Sequence, residues 1–88
     1  MWHLEIREEL AKKFNKIAKK DIEQAKAIAN KIRQIQENPL RFKPLRAPMQ
    51  GKRRVHVLKS FVLIFSADER KQTVILEAYE HHDNVYKC

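Results

Sequence analysis

Apolar and polar positions alternate at the start of the chain, where Trp2, Leu4 and Ile6 are separated by His3 and Glu5. This period of two predicts a half-buried strand over residues 2–7. From Glu8 the period lengthens: Leu10, Phe14, Ile17 and Ala18 recur at i, i+4, i+7 and i+8, one face of an amphipathic helix. Acids occupy its first turn and Lys19–Lys20 its last, as the helix dipole prefers. Asp21 with Gln24 resembles a capping box, and Ile22, Ala25, Ile28, Ala29, Ile32 and Ile35 continue a second helical stripe to Glu37. Asn38 and Pro39 end it. A turn around Lys20 therefore joins two helices into an antiparallel hairpin with one apolar face to bury.

All three prolines, Pro39, Pro44 and Pro48, fall in residues 39–50. Each biases its predecessor towards extended geometry, so a stiff connecting loop without helix is expected there. Beyond Gly51, three runs rich in β-formers follow, Arg54–Leu58, Phe61–Ser66 and Thr73–Tyr79, separated by Lys59–Ser60 and Asp68–Gln72. They read as an antiparallel meander. Phe61, Leu63 and Phe65 share one face of the middle run and Val62 and Ile64 the other, as in a central strand covered on part of both sides. The order is β-α-α-β-β-β: an α+β fold in one domain, residues 1–88, with the helical hairpin packed on one face of an antiparallel four-stranded sheet. The opposite face is expected to be concave and open.

Composition narrows the function. The chain has 88 residues, one cysteine at its last position and one glycine. No internal disulfide and no cysteine-based zinc site can form, and the glycine-rich phosphate-binding loops, which need several glycines, are excluded. The longest stretch without a charge, Ser60–Ala67, is eight residues, against roughly 20 for a bilayer-spanning helix. Arg7, Glu8 and Glu9 interrupt the region where a secretory signal would be apolar. No membrane association, no cofactor and a cytoplasmic location are expected.

The net charge of +8 is unevenly placed. Residues 1–38 carry nine Lys/Arg and six Asp/Glu, while residues 61–88 carry three and five. Residues 39–60 carry seven cations, Arg41, Lys43, Arg46, Lys52, Arg53, Arg54 and Lys59, and no acid. Scattered lysines of the first segment fit an ordinary solvated face. The acid-free middle instead points to a polyanionic partner.

Alternation in Arg53-Arg54-Val55-His56-Val57 places the two valines on the core side and Arg54 and His56 together on the other. A guanidinium that can grip a phosphate then stands beside an imidazole that exchanges protons near neutrality. The competing reading is the polar outer face of an ordinary strand. Three of the four histidines, His56, His81 and His82, lie in the same half as the cationic cluster. His81 and His82, adjacent on an extended segment, point to opposite sides, which suits a proton-transfer role for one of them better than a shared metal. RNA cleavage through the ribose 2′-OH needs a base, an acid and a cation against the phosphorane. Tyr86 adds a ring on which an unstacked base can lie.

The pattern Pro44-Leu45-Arg46, Gly51, Arg53-Arg54-Val55-His56-Val57, Lys59-Ser60-Phe61-Val62-Leu63-Ile64-Phe65 and His81-His82-Asp83-Asn84-Val85-Tyr86-Lys87 resembles the RelE/ParE toxins of prokaryotic toxin–antitoxin pairs over nearly the whole chain. The resemblance implies a ribosome-dependent endoribonuclease, an mRNA interferase that cuts messenger RNA in the ribosomal A site and is silenced by a RelB-like antitoxin in a hetero-oligomer. It implies catalytic roles for Arg54, His56, His82 and Tyr86; from the acid-free cluster, Arg46, Lys52, Arg53 and Lys59 are expected to grip RNA, and no metal is expected. Val62 follows Phe61 where many relatives carry arginine, leaving Arg46 or Arg53 to supply that cation. The same fold serves ParE-like inhibitors of DNA gyrase that cleave nothing, and a plain RNA-binding module is a third possibility.

Overall fold

A computed structural model of the chain describes residues 1–45 and 51–86, with the side chains of Val85 and Tyr86 outside the described set. Strand β1 spans His3–Ile6, helix α1 Glu8–Lys20 and helix α2 Ile22–Glu37. Strands β2 (Lys52–Val57), β3 (Phe61–Asp68) and β4 (Thr73–His81) follow, and the short helix α3 covers His82–Tyr86. The sheet order is β1-β4-β3-β2. β2, β3 and β4 form the expected antiparallel meander, but β1 runs parallel to β4, with Leu4 opposite Val74 and Ile6 opposite Leu76. The sheet is therefore mixed. The hairpin carries the chain across the sheet face and returns it beside β3, which leaves β1 on the far side of β4 in a parallel sense.

The two helices meet at a single residue. Asp21 ends α1, its backbone N–H donating to the Ile17 carbonyl, and starts α2, its carboxylate accepting from the Gln24 backbone N–H at 3.0 Å. The Gln24 side-chain amide also donates to the Asp21 carboxylate at 3.2 Å, so the expected cap forms but the reciprocal half of a capping box does not, the Asp21 backbone N–H being taken by the Ile17 carbonyl. Leu10, Ile28 and Ile35 pack onto Val55, Val57, Leu63, Phe65, Val74, Leu76 and Tyr79, with Phe14 and Ile17 at the margin. Ala18, Ala29 and Ile22 face water despite falling on the predicted stripes, Ile22 with 63% of its surface exposed. The buried stripe is narrower than the sequence pattern because each helix is covered only by the sheet and by the other helix of the hairpin, which leaves the remaining positions to water.

The proline-rich connection is not free of helix: Pro39–Arg41 form one 3-10 turn, an arrangement in which Pro at the first position has no N–H to lose. Pro44 then bridges to Arg53, and the backbone N–H groups of Leu45 and Arg54 donate to Lys52 and Lys43 carbonyls, so the segment covers part of the β2 edge. Leu58, in the tight β2–β3 turn, has a φ of 56° and is 55% exposed.

A bulge between Ile64 and Phe65 shifts the β3–β4 register: Phe65 opposes Leu76, whereas Ile64 opposes Ala78, and Glu77 is the extra residue. Val74 and Leu76 face the helices, and the bulge changes the parity so that Tyr79 does too. His81 stays on the helix side, against Phe61, and His82 is turned to the other face, against His56.

Candidate functional site

Val62 and Ile64 are buried on the face opposite the helical hairpin, outside the main core cluster. β2 presents Lys52, Arg54 and His56 to this same face, as its alternation predicts, while Val55 and Val57 are buried against the helices. Arg54 Nη1 lies 3.4 Å from His56 Nδ1. His82, the first residue of α3, stacks on His56 with ring centroids 5.5 Å apart and an interplanar angle of 27°. The structure thus brings together three residues separated by up to 28 positions in the chain, Arg54, His56 and His82.

Electrostatics at the cluster favour a neutral imidazole. His56 is held below the ordinary histidine range, first by desolvation against the sheet and then by repulsion from Arg54 and His82. With Arg54 donating to Nδ1, the neutral ring carries its proton on Nε2, which faces away from the guanidinium. Asp83 sits between the two C-terminal histidines, its carboxylate 3.8 Å from Nδ1 of His81 and 3.8 Å from Nδ1 of His82. His81 points the other way, edge-on to Phe61 at 5.7 Å, and its Nδ1 accepts the Asp83 backbone N–H at 3.3 Å. His81 and His82 point apart as expected, but not on one extended segment: His81 ends β4 and His82 begins α3.

The predicted RNA-gripping residues divide. Arg53 lies on the core-side row of β2 and donates from Nη1 to the Phe42 carbonyl at 2.7 Å and the Leu40 carbonyl at 3.3 Å, tying down the preceding loop. Lys52 shares the Arg54 face and pairs with Glu77 at 3.4 Å. Lys59 is exposed in the β2–β3 turn. Arg46 lies outside the described residues, as does the Tyr86 side chain, whose backbone ends α3.

Sequence reasoning missed Glu77, the bulge residue, whose side chain is only 10% exposed. It accepts from Arg7 Nε and from the Ser66 hydroxyl at 2.8 Å and pairs with Lys52, so one carboxylate links groups from beside β1, β3 and β2. Burial pushes the Glu77 carboxyl up, but the hydrogen bonds from Arg7 and Ser66, with the charges of Lys52 and Arg7, outweigh it and hold the group below its ordinary value. A lone acid inside the apolar run Val74–Tyr79 was the available signal. Among the described residues, no group of three or more His, Cys, Asp or Glu side chains is placed to hold a metal ion, and no helix is long and apolar enough to cross a membrane.

A helical hairpin on one side of a mixed four-stranded sheet, with a cation and two imidazoles clustered on the other, defines the class: a small α+β protein with its polar chemistry on the sheet face the hairpin leaves open. No family model matches the chain. It is 51% identical over 86 residues to an uncharacterised protein of Methanosarcina mazei, spanning 98% of this chain and 100% of that one. It is 45% identical over 87 residues to a Methanocaldococcus jannaschii protein provisionally named toxin RelE4, spanning 99% and 93%. Among solved structures it is similar to a YoeB/ParE toxin from Agrobacterium tumefaciens, with TM-score 0.81, 14% identity, and coverage of 91% and 98%. A YoeB-YefM complex from Staphylococcus aureus matches with TM-score 0.77, 10% identity, and coverage of 93% and 98%. The chain belongs to the RelE/ParE toxin superfamily.

Proposed function

We propose that the chain is the toxin of a toxin–antitoxin pair and acts in the cytoplasm as a ribosome-dependent endoribonuclease. The observation that carries this reading is the Arg54–His56–His82 cluster on the open sheet face, with a donor contact of 3.4 Å and an imidazole stack of 5.5 Å. In the reaction the 2′-oxygen attacks the adjacent phosphorus, forming the O2′–P bond as P–O5′ breaks, and leaves a 2′,3′-cyclic phosphate. One imidazole takes the 2′-OH proton and another group returns a proton to the departing 5′-oxygen. Arg54 offsets the charge that accumulates on the phosphorane. His56 and His82, stacked side by side, are suited to the two proton transfers. Lys52, Lys59 and Arg46 add phosphate contacts, and Tyr86 a stacking ring. The antitoxin partner is supported by the toxin name of one relative and by a solved YoeB-YefM complex of the same fold.

Cleavage of messenger RNA on programmed ribosomes tests this. Arg54→Ala should lower the single-turnover rate by roughly 10²–10³, the loss for one transition-state donor. His82→Gln should cost on the order of 10²–10⁴ and remove one limb of the pH–rate profile. Both variants, shown folded by circular dichroism, cutting at the parental rate would overturn the assignment. Intact message together with inhibited gyrase supercoiling would replace the ribonuclease reading with the ParE-like one.

A further inference from the structure

Glu77 is an acid placed against its surroundings. The β4 bulge sets it on the open sheet face, beside the cations of β2, where a carboxylate repels any polyanion that lies there. Stability does not account for the charge. Two of its three partners, Arg7 and Lys52, are too exposed for their ion pairs to add much, and a buried ion pair is often no better than an apolar residue in the same place. A charged residue kept in a bulge beside the candidate site therefore points to a role in that site.

The register shows what the carboxylate gathers. Ile6, Leu76, Phe65 and Arg53 are paired neighbours in one row across all four strands. The residue next to each, Arg7, Glu77, Ser66 and Lys52, lies on the open face, so a second row crosses the sheet from the β1 edge to the β2 edge. Glu77 Oε2 accepts from the Ser66 hydroxyl at 2.8 Å, while Oε1 accepts from Arg7 Nε and lies 3.4 Å from the Lys52 ammonium. With both oxygens engaged, the carboxylate has one orientation. Arg7 uses Nε for this contact, and among the described residues its two terminal nitrogens meet no other side chain. Arg54 follows Lys52 by two residues on β2, a step of about 7 Å at the usual strand rise, which is comparable with the separation of neighbouring phosphates in an extended single strand.

We propose that Arg7 and Lys52 form a second phosphate subsite beside Arg54, taking the backbone phosphate next to the one Arg54 contacts, and that Glu77 is the positioning residue that holds both cations for it. The inference deepens the ribonuclease reading and rests on it, the ligand being the single strand to be cut. A lysine stem loses much rotamer freedom when its ammonium is fixed, and a carboxylate that restrains Lys52 before RNA arrives removes part of that cost from binding. A guanidinium anchored through Nε keeps its terminal N–H groups for a bidentate contact with phosphate. Two cations around one carboxylate leave the group positive, so the subsite still attracts an anion. Arg7 lies far outside the acid-free segment 39–60, and only the bulge and the β1–β4 pairing bring it to Lys52.

A methylphosphonate scan tests this. Short oligouridylates, blocked from cleavage by 2′-O-methyl groups and each carrying one uncharged methylphosphonate, are titrated against the full chain by fluorescence anisotropy at low salt. The parental protein should show two adjacent positions at which loss of the charge weakens binding about three- to tenfold. Arg54→Ala should erase the penalty at one position, and Glu77→Gln, Arg7→Gln and Lys52→Gln the penalty at the other. Glu77→Gln should also bind the unmodified strand more weakly, opposite in sign to the gain expected when a negative charge is deleted beside a polyanion. The Arg7 and Lys52 variants, changed at exposed or half-exposed side chains, carry the test if Glu77→Gln fails to fold by circular dichroism. A Glu77→Gln protein that melts lower yet binds the strand more tightly would make Glu77 structural only and overturn the proposal. So would a parental scan in which no position depends on Arg7 or Lys52. If the scan comes out as expected but ribosome-bound message stays intact, the subsite stands and the ribonuclease reading falls.

Discussion

Replacing Glu77 with alanine removes the carboxylate to which Arg7, Ser66 and Lys52 converge. The Arg7 side chain is 61% exposed and that of Lys52 34%, so water compensates both and the two ion pairs add little. The Ser66 hydroxyl bond, 2.8 Å long and part-buried, is charge-assisted, and such bonds contribute about 1.5–3 kcal/mol. The cost of desolvating the carboxylate is recovered in the variant and offsets part of these gains. The net loss should be about 1–2 kcal/mol, which for a domain of this size lowers Tm by about 4–16 °C. Glu77→Gln, which keeps an acceptor for Ser66 but no charge, should lose about half as much. The pH dependence has a definite sign. Because the native carboxyl is held below its ordinary value, the unfolded chain takes up the proton first, and the stabilisation is full above the ordinary glutamate value of 4.5. It is lost as pH falls through the lower native value, so parental and alanine proteins should converge on acidification. Melting followed by circular dichroism across that range is the assay. A Glu77→Ala protein that melts within about 1 °C of the parent at neutral pH, or a gap that widens in acid, would refute the argument.

His56 should titrate below the ordinary histidine value of 6.5; since its neutral form is the one favoured in the native state, its contribution to stability falls as pH drops below that value. Arg54→Ala should move the His56 imidazole resonance towards higher pKa but not abolish the depression, because desolvation is the larger cause; an unmoved titration would remove Arg54 from the site's electrostatics. In RNA binding, Lys52→Ala/Arg54→Ala should flatten the slope of log K against log salt by about 1.4, at about 0.7 per phosphate contact. Arg53→Ala should chiefly lower Tm, since its guanidinium holds the Leu40 and Phe42 carbonyls; a salt slope that responds more to Arg53 than to the double change would reverse these roles. Leu58→Gly should raise stability by about 0.5 kcal/mol or more, because leucine at a φ of 56° bears left-handed strain that glycine does not, and a lower Tm would show that the Leu58 side chain contributes packing that outweighs the strain.

The elements themselves were legible in the sequence because local forces specify them. The alternation Trp2-Leu4-Ile6, the stripe Leu10-Phe14-Ile17, the Asp21–Gln24 cap and the valines flanking His56 each report which side of one element is apolar. Hence the β-α-α-β-β-β order, the hairpin turn near Lys20 and the shared face of Arg54 and His56 agree with the structure, to which the short helix α3 is an addition the pattern did not announce. Pairing between elements distant in sequence was not legible. Whether β1 joins β4 parallel or antiparallel depends on the path of the whole hairpin, and no pattern within residues 2–7 encodes it. The register shift at Glu77 likewise arises only when β4 lies against β3, where a charged residue seeks Arg7, Ser66 and Lys52 instead of the core. That slip turns Tyr79 inward and, with α3, brings His82 onto His56. The residue types for phosphate chemistry were visible in the chain; the 5.5 Å imidazole stack exists only because tertiary packing sets the start of α3 beside β2.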